Sequence, residues 1–184
     1  MTDHPLQHIL GMRVRQIMIR AIVMSLTVLI NFVLQSAAFQ YITILGVKPN
    51  TALILICSYA VLRGDVEGAI LGFFAGLLQD IYYNPVIGVS ALLYMLIGYF
   101  CGKPLRDFYK ENYFFAVFLV AASALFYQFA HYFAYFLFRG RIDIGYYFMA
   151  VMLPGAIYTV IAAIPLYGLV YLLNHRLERV EKNR

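Results

Sequence analysis

The chain has 184 residues, of which 63% are hydrophobic and only 12% are charged, and its net charge is +5. A water-soluble domain carries roughly a quarter charged residues, and a chain of this length cannot bury so much apolar surface. The apolar runs are continuous rather than alternating, which favours membrane helices over a barrel. The basic residues lie in short clusters between these runs, a pattern typical of membrane orientation rather than nucleic-acid binding.

The first predicted span runs from Ile17 to Phe39, and we expect it to be retained because it is longer than a typical signal-peptide core. A turn at Pro49 leads to a short element, Thr51 to Leu62, followed by Gly64 to Leu78. A span needs about 20 apolar residues. The second element must therefore tilt or thin the bilayer, or form a re-entrant hairpin with the third.

The fourth predicted element is Val86 to Cys101, with Asn84-Pro85 as its cap and first helical turn. Two longer elements, Tyr113 to Phe138 and Ile144 to Leu173, complete the chain. We therefore predict an all-α integral membrane protein with six transmembrane helices. It forms a single membrane domain over residues 1–184, with short cytoplasmic tails at about 1–16 and 174–184.

The basic residues indicate the orientation of these spans. With six spans, eleven lie on one side and three on the other, which makes the richer side cytoplasmic and places both termini there. If the second and third elements form a re-entrant hairpin, four spans remain and the termini stay inside. The eleven are Arg13, Arg15, Arg20, Arg63, Lys103, Arg106, Lys110, Arg176, Arg179, Lys182 and Arg184; the three are Lys48, Arg139 and Arg141.

Small residues recur every four positions in the third element and form one ridge along a helix. Such a ridge allows another helix backbone to approach closely. The ridge predicts helix packing, either within this chain or against a partner helix. The candidate residues are Gly64, Gly68, Gly72 and Gly76, with Asp80 at the next step and Gly98 and Gly102 in the fourth element.

Several polar side chains lie inside the apolar runs. For Asp80 we favour a structural role, in which it bonds turn amides before Pro85, over a role as a functional acid or ligand anchor. Two pairs one helical turn apart predict interhelical hydrogen bonds, with a polar ligand cavity as the alternative. These pairs are Asn31 with Gln35 and Gln128 with His131.

No catalytic, cofactor or metal motif stands out in the sequence. Ser90 lacks the second glycine of a nucleophile elbow, and Cys57 and Cys101 lie in apolar stretches without metal or disulfide spacing. We therefore expect a non-enzymatic protein without a cofactor.

One ordered set of residues consists of Pro49, Arg63-Gly64, Gly68, Gly72-Phe73, Gly76-Leu77, Asp80, Gly88 and Gly98-Tyr99. This set resembles the rod shape-determining protein MreD family of bacterial inner-membrane proteins. The family usually has an acidic residue after the proline, where this chain has Asn50.

The resemblance implies a non-catalytic scaffold of the cell-wall elongation complex in the inner membrane. Its implied partners are an MreC-type single-span protein, the actin-like MreB and the peptidoglycan synthases. The resemblance also implies a fold like the substrate-binding subunits of energy-coupling-factor vitamin transporters. Such a vitamin-capture subunit is the alternative function, and it would need a polar pocket on the outer side.

Overall fold

A computed structural model describes residues 4–37, 49–103, 113–139, 145 and 148–182. These residues form six α-helices and no strand, which confirms the predicted all-α class. A π-helical turn, Phe148–Met152, directly precedes the last helix. The helices are α1 (His4–Ala37), α2 (Thr51–Arg63), α3 (Asp65–Tyr83), α4 (Val89–Gly102), α5 (Tyr113–Arg139) and α6 (Leu153–Lys182).

Two of these helices contain stretches that are long and apolar enough to cross a bilayer, Phe115–Ala134 and Leu153–Leu172. The helices α2 and α4 have 13 and 14 residues. They are therefore roughly 20 Å long, against a hydrocarbon core of about 30 Å. The six helices of the described residues agree with the six elements predicted from the sequence. That all six span a membrane remains a prediction.

The short helix α2 lies at the centre of the molecule. Its residues from Thr51 to Leu62 are all buried, and α1, α3, α4, α5 and α6 all pack around it. A helix that is hydrophobic on every side belongs in an interior, which explains why its sequence has no polar face. The element that is too short for a simple span is therefore the core of the fold.

The outward faces of the surrounding helices are apolar and exposed. Ile22 and Val33 on α1, Phe129 on α5 and Leu172 on α6 each expose more than half of their surface. Water-soluble monomers rarely expose contiguous apolar patches of more than a few hundred Å². This arrangement, with apolar side chains both inside and outside, suits a bilayer as the surrounding medium.

The connection between α3 and α4 differs from the sequence-based prediction. Helix α3 continues to Tyr83, beyond the predicted end at Leu78, and Asn84 terminates it. Pro85 lies in a non-helical connection, so the prediction of Asn84-Pro85 as the cap and first turn of the next helix is wrong. The helix α4 begins only at Val89, after Gly88, whose positive φ of 106° turns the chain into the helix.

The predicted polar loop from Lys103 to Asn112 and the turn from Arg139 to Asp143 lie almost entirely outside the described residues.

Candidate functional site

The glycine ridge of α3 packs directly against α4, which runs antiparallel to it. A Cβ built at Gly98 would overlap the backbone of Gly68. One built at Gly102 would lie 2.5 Å from the carbonyl carbon of Gly64. Moving four residues towards the N-terminus along α3, from Gly68 to Gly64, corresponds to moving four residues towards the C-terminus along α4, from Gly98 to Gly102. The glycines of the two helices therefore face each other.

The next two glycines of the ridge, Gly72 and Gly76, pack against larger residues of α4, and again the contact is with the backbone of those residues. A Cβ at Gly76 would lie 2.5 Å from the Cα of Ala91, and one at Gly72 would overlap the carbonyl oxygen of Tyr94. No side chain fits between the helices at these positions. The helix α4 covers the ridge, so a role of these glycines in binding a partner remains a prediction and would require displacement of α4.

Asp80 occupies the step after Gly76 and is fully buried, with 0% of its surface exposed. Its Oδ1 accepts hydrogen bonds from Asn84 Nδ2 at 2.8 Å and from the backbone N–H of Ser90 at 3.2 Å. Its Oδ2 accepts from the backbone N–H groups of Gly88 at 2.8 Å and Ala91 at 3.1 Å. All four partners of the carboxylate are donors.

This geometry makes Asp80 the cap of a neighbouring helix. The first N–H groups of any helix have no partner within it, and its N-terminus favours negative charge. Gly88, the residue before α4, has no side chain to supply an acceptor, and Asp80 supplies one from α3. The backbone amides that donate to Asp80 come after Pro85 in the chain, whereas the sequence-based interpretation placed them before Pro85.

A second polar cluster is centred on Asn50. Its Oδ1 accepts from the N–H of Leu53 at 3.1 Å and so caps α2. Its backbone N–H donates to Thr159 Oγ1 at 3.2 Å, and its Nδ2 donates to the Tyr94 hydroxyl at 2.6 Å. The same hydroxyl lies 2.9 Å from Gln79 Oε1, to which it can donate. Asn50 therefore joins α2 to α4 and α6, a role that the sequence analysis missed.

Removing the hydroxyl at the centre of this cluster should weaken the fold. Tyr94 is fully buried, so Tyr94→Phe leaves the amides of Asn50 and Gln79 without their shared partner. A buried group that loses its partner costs about 1–3 kcal/mol, and we expect that loss in the free energy of unfolding in detergent micelles. Tyr82→Phe, at an exposed tyrosine, is the matched control and should change it by less than about 0.5 kcal/mol.

A polar cavity of about 230 Å³ lies beside this cluster. Gln35, Gln128 and His131, which the sequence analysis singled out, converge on it from α1 and α5. Asn31 lies instead in a narrow crevice between α1, α2 and α3. The other residues that line the cavity are Pro49, Asn50, Gln79, Tyr83, Ala124, Tyr127 and Thr159.

The two cysteines meet at the α2–α4 interface. The Sγ atoms of Cys57 and Cys101 are 3.8 Å apart, and Cys101 Sγ is 3.3 Å from the hydroxyl of Ser123 on α5. Both thiols are free and buried. Within the described residues, no three His, Cys, Asp or Glu side chains are grouped so that they could hold a metal ion.

Charged side chains lie at the opposite end of the helices. Arg63 and Glu67 approach to 3.7 Å across one turn. The Lys103 ammonium donates to the Tyr99 hydroxyl at 2.7 Å, and this hydrogen bond raises the pKa of Lys103. Arg63 and Lys103 are two of the basic residues that the charge distribution assigns to the cytoplasm.

The residues described above fall within a region that matches a known family. A family model for the rod shape-determining protein MreD matches residues 15–177. No curated protein and no solved structure matches the chain. The match covers all six helices in whole or in part and confirms the resemblance seen in the glycine pattern. The chain therefore belongs to the MreD family of rod shape-determining membrane proteins.

Proposed function

We propose that this protein is a non-catalytic scaffold of the cytoplasmic membrane that holds an MreC-type single-span partner within the cell-wall elongation complex. Membership of the MreD family carries this proposal, because it supports a role in determining rod shape. The same complex would contain the actin-like MreB and the peptidoglycan synthases.

The proposal includes six spans with both termini in the cytoplasm. The short helix α2 does not contradict this, because five other helices surround it. A helix that does not face lipid need not match the thickness of the bilayer, whereas an exposed short helix would have to thin it. The 19 residues of α3 span about 28 Å, close to the thickness of the hydrocarbon core.

Cysteine labelling tests this topology. We expect a membrane-impermeant maleimide to reach Asn84→Cys and Gly140→Cys in intact cells, and not Glu111→Cys or Asn183→Cys. The native cysteines are buried, so their background labelling should be low. Opened membranes are the control, in which all four positions should react. Labelling of Asn183→Cys in intact cells would contradict the orientation.

The partner's span needs a surface other than the glycine ridge, since α4 covers that ridge. An apolar groove of about 510 Å³ lies between α1 and α3. It follows α3 from Glu67 to Ile81, which is about 21 Å of helix. Glu67 lies at its cytoplasmic end, where a partner span typically carries Lys or Arg. We propose that this groove holds the partner helix.

Disulfide crosslinking to a cysteine in the partner's span tests the groove. Ile70 and Phe74 line it and are 52% and 57% exposed, and Phe118 and Phe129 on α5 are equally accessible controls at 65% and 60%. We expect Ile70→Cys and Phe74→Cys to crosslink, and Phe118→Cys and Phe129→Cys to remain uncrosslinked. Equal crosslinking at all four positions would show that the partner contacts the protein without a preferred surface and would contradict the groove.

Depletion of the protein separates the scaffold from the transporter alternative. We expect rods to become rounded cells while uptake of riboflavin, biotin and thiamine stays normal. The family assignment does not support the alternative of a vitamin-capture subunit. A specific uptake defect in cells of normal shape would contradict the scaffold and favour that alternative.

A further inference from the structure

The polar cavity is an unusual feature for the interior of a membrane protein. Its volume of about 230 Å³ is enough for several water molecules or one small organic molecule. Polar groups within a bilayer are costly, and they often mark sites of function. The scaffold role proposed above makes no use of this cavity.

Hydrogen bonds hold two of the lining amides in defined orientations. Gln79 Oε1 lies 2.9 Å from the Tyr94 hydroxyl and can accept from it, which leaves the amide nitrogen of Gln79 as the group that can donate to another partner. Gln128 donates through Nε2 to the carbonyl oxygen of Met152 at 3.2 Å, which leaves its Oε1 as an acceptor. The cavity therefore offers both a donor and an acceptor on side chains that are already oriented, which lowers the entropic cost of binding.

The charge of the lining selects the class of ligand. None of the described residues that line the cavity is Asp, Glu, Lys or Arg. Asp80, the one fully buried carboxylate in the described part of the chain, is outside the lining and already accepts four hydrogen bonds. These residues therefore offer a charged ligand no opposite charge to offset the hydration that it loses on burial beside them.

The volume of the cavity favours a compact molecule over an extended peptide. Residues of α1, α3, α5 and α6, together with the turn before α2, line it. Tyr127 and His131 form part of one wall, with ring centroids 5.3 Å apart, and Ala124 and Pro49 add apolar surface. An extended peptide would need a longer groove or a free strand edge.

We propose that this cavity binds a small uncharged molecule with an amide or hydroxyl group that both donates and accepts hydrogen bonds. The amides of Gln79 and Gln128, together with that of Gln35 in the same lining, recognise that group, and the rings of Tyr127 and His131 contact its apolar part. This site does not depend on the scaffold function, so either can fail without the other.

Thermal denaturation of the purified full-length protein tests the proposal, because a ligand that binds only the folded state raises its melting temperature. The probe is N-acetyl-L-alaninamide, which is neutral and carries two amides. N-acetyl-L-alanine and L-alaninamide are its anionic and cationic counterparts. We expect a saturable rise in melting temperature with the neutral probe and none with the charged ones.

Phenylalanine substitutions at two alanines of α5 test whether the probe binds in the cavity. Ala124 is buried in the lining, whereas Ala122, half a turn away on α5, is exposed outside it. Ala124→Phe fills the cavity and should abolish the response, and Ala122→Phe should retain it. Gln35→Leu keeps the size of its side chain and removes one lining amide, so it tests the site even if Ala124→Phe does not fold. We expect roughly twofold to tenfold weaker binding in Gln35→Leu.

Three results would overturn the proposal. The first is no response of the wild-type protein to the neutral probe, which would leave the cavity as a water-filled space. The second is an equal response to the charged analogues. The third is an undiminished response in folded Ala124→Phe or in Gln35→Leu, which would place the binding elsewhere.

Discussion

Gly72→Ala should destabilise the protein, although the change adds a single methyl group. The new Cβ would overlap the carbonyl oxygen of Tyr94 on α4. Backbone atoms cannot move aside as the end of a flexible side chain can, so α3 and α4 would have to separate. Overpacking of this kind costs about 1–3 kcal/mol, and Gly72→Leu should cost more. We expect less folded protein in the membrane and a lower melting temperature after purification.

Gly168→Ala is the matched control, because it is the same substitution in a helix with open space around it. Apart from the backbone of its own helix and its two chain neighbours, a Cβ at Gly168 would meet no atom within 4 Å. Because no clash opposes it, Gly168→Ala should raise the free energy of unfolding by up to about 1 kcal/mol, since alanine has a better helix propensity than glycine. The two variants should therefore change stability in opposite directions. Equal accumulation and equal melting temperatures of both variants would show that the α3–α4 contact is not tight.

Asp80→Leu should have the other large effect, because it removes every acceptor from the N-terminus of α4. Three backbone N–H groups would lose their acceptor, two of them in buried hydrogen bonds, and the Asn84 amide would keep only the Ser90 hydroxyl. Each unsatisfied buried donor costs about 1–3 kcal/mol, so the sum is comparable to the whole stability of a small domain. We expect almost no folded Asp80→Leu protein in membrane extracts.

Asp80→Asn should lie between the wild type and Asp80→Leu. The structural role that the sequence favours for Asp80 predicts that this variant retains most function, because asparagine keeps hydrogen-bonding capacity. The geometry revises this expectation, since an amide presents one oxygen to four donors and its own NH₂ group faces the remaining ones. Asp65→Asn, at a partly exposed carboxylate that accepts from Val66, is the control and should change stability by less than about 0.5 kcal/mol.

Cell shape and the amount of folded protein, measured in the same strains, distinguish a structural role of Asp80 from a requirement for its negative charge. If the residue is structural, the loss of rod shape should follow the loss of folded protein in both variants. Asp80→Asn protein that is as abundant as wild type and yet fails to support rods would point to a required negative charge.

The sequence by itself determined the class of fold, the limits of α2 and α5 to within one residue, and the family. These features depend on local patterns, such as long apolar runs and glycines spaced four residues apart. Other limits were missed, because α1 begins at His4 and α6 ends at Lys182, both beyond the predicted spans, and the boundary between α3 and α4 is displaced. The sequence-based prediction assumed that Asn84-Pro85 begins the next helix, whereas the acceptor for its N-terminus comes from Asp80 on the preceding helix.

Only the tertiary structure decided which surfaces meet. A glycine ridge looks the same whether it faces a helix of its own chain or a partner, and the approach of Gly98 to Gly68 is visible only in three dimensions. Asn50 bonds Tyr94 and Thr159, which follow it by 44 and 109 residues, and no local pattern encodes such a distance. The central position of α2 and the polar cavity likewise depend on how all the helices pack, because burial is a property of the assembled chain and not of any one segment.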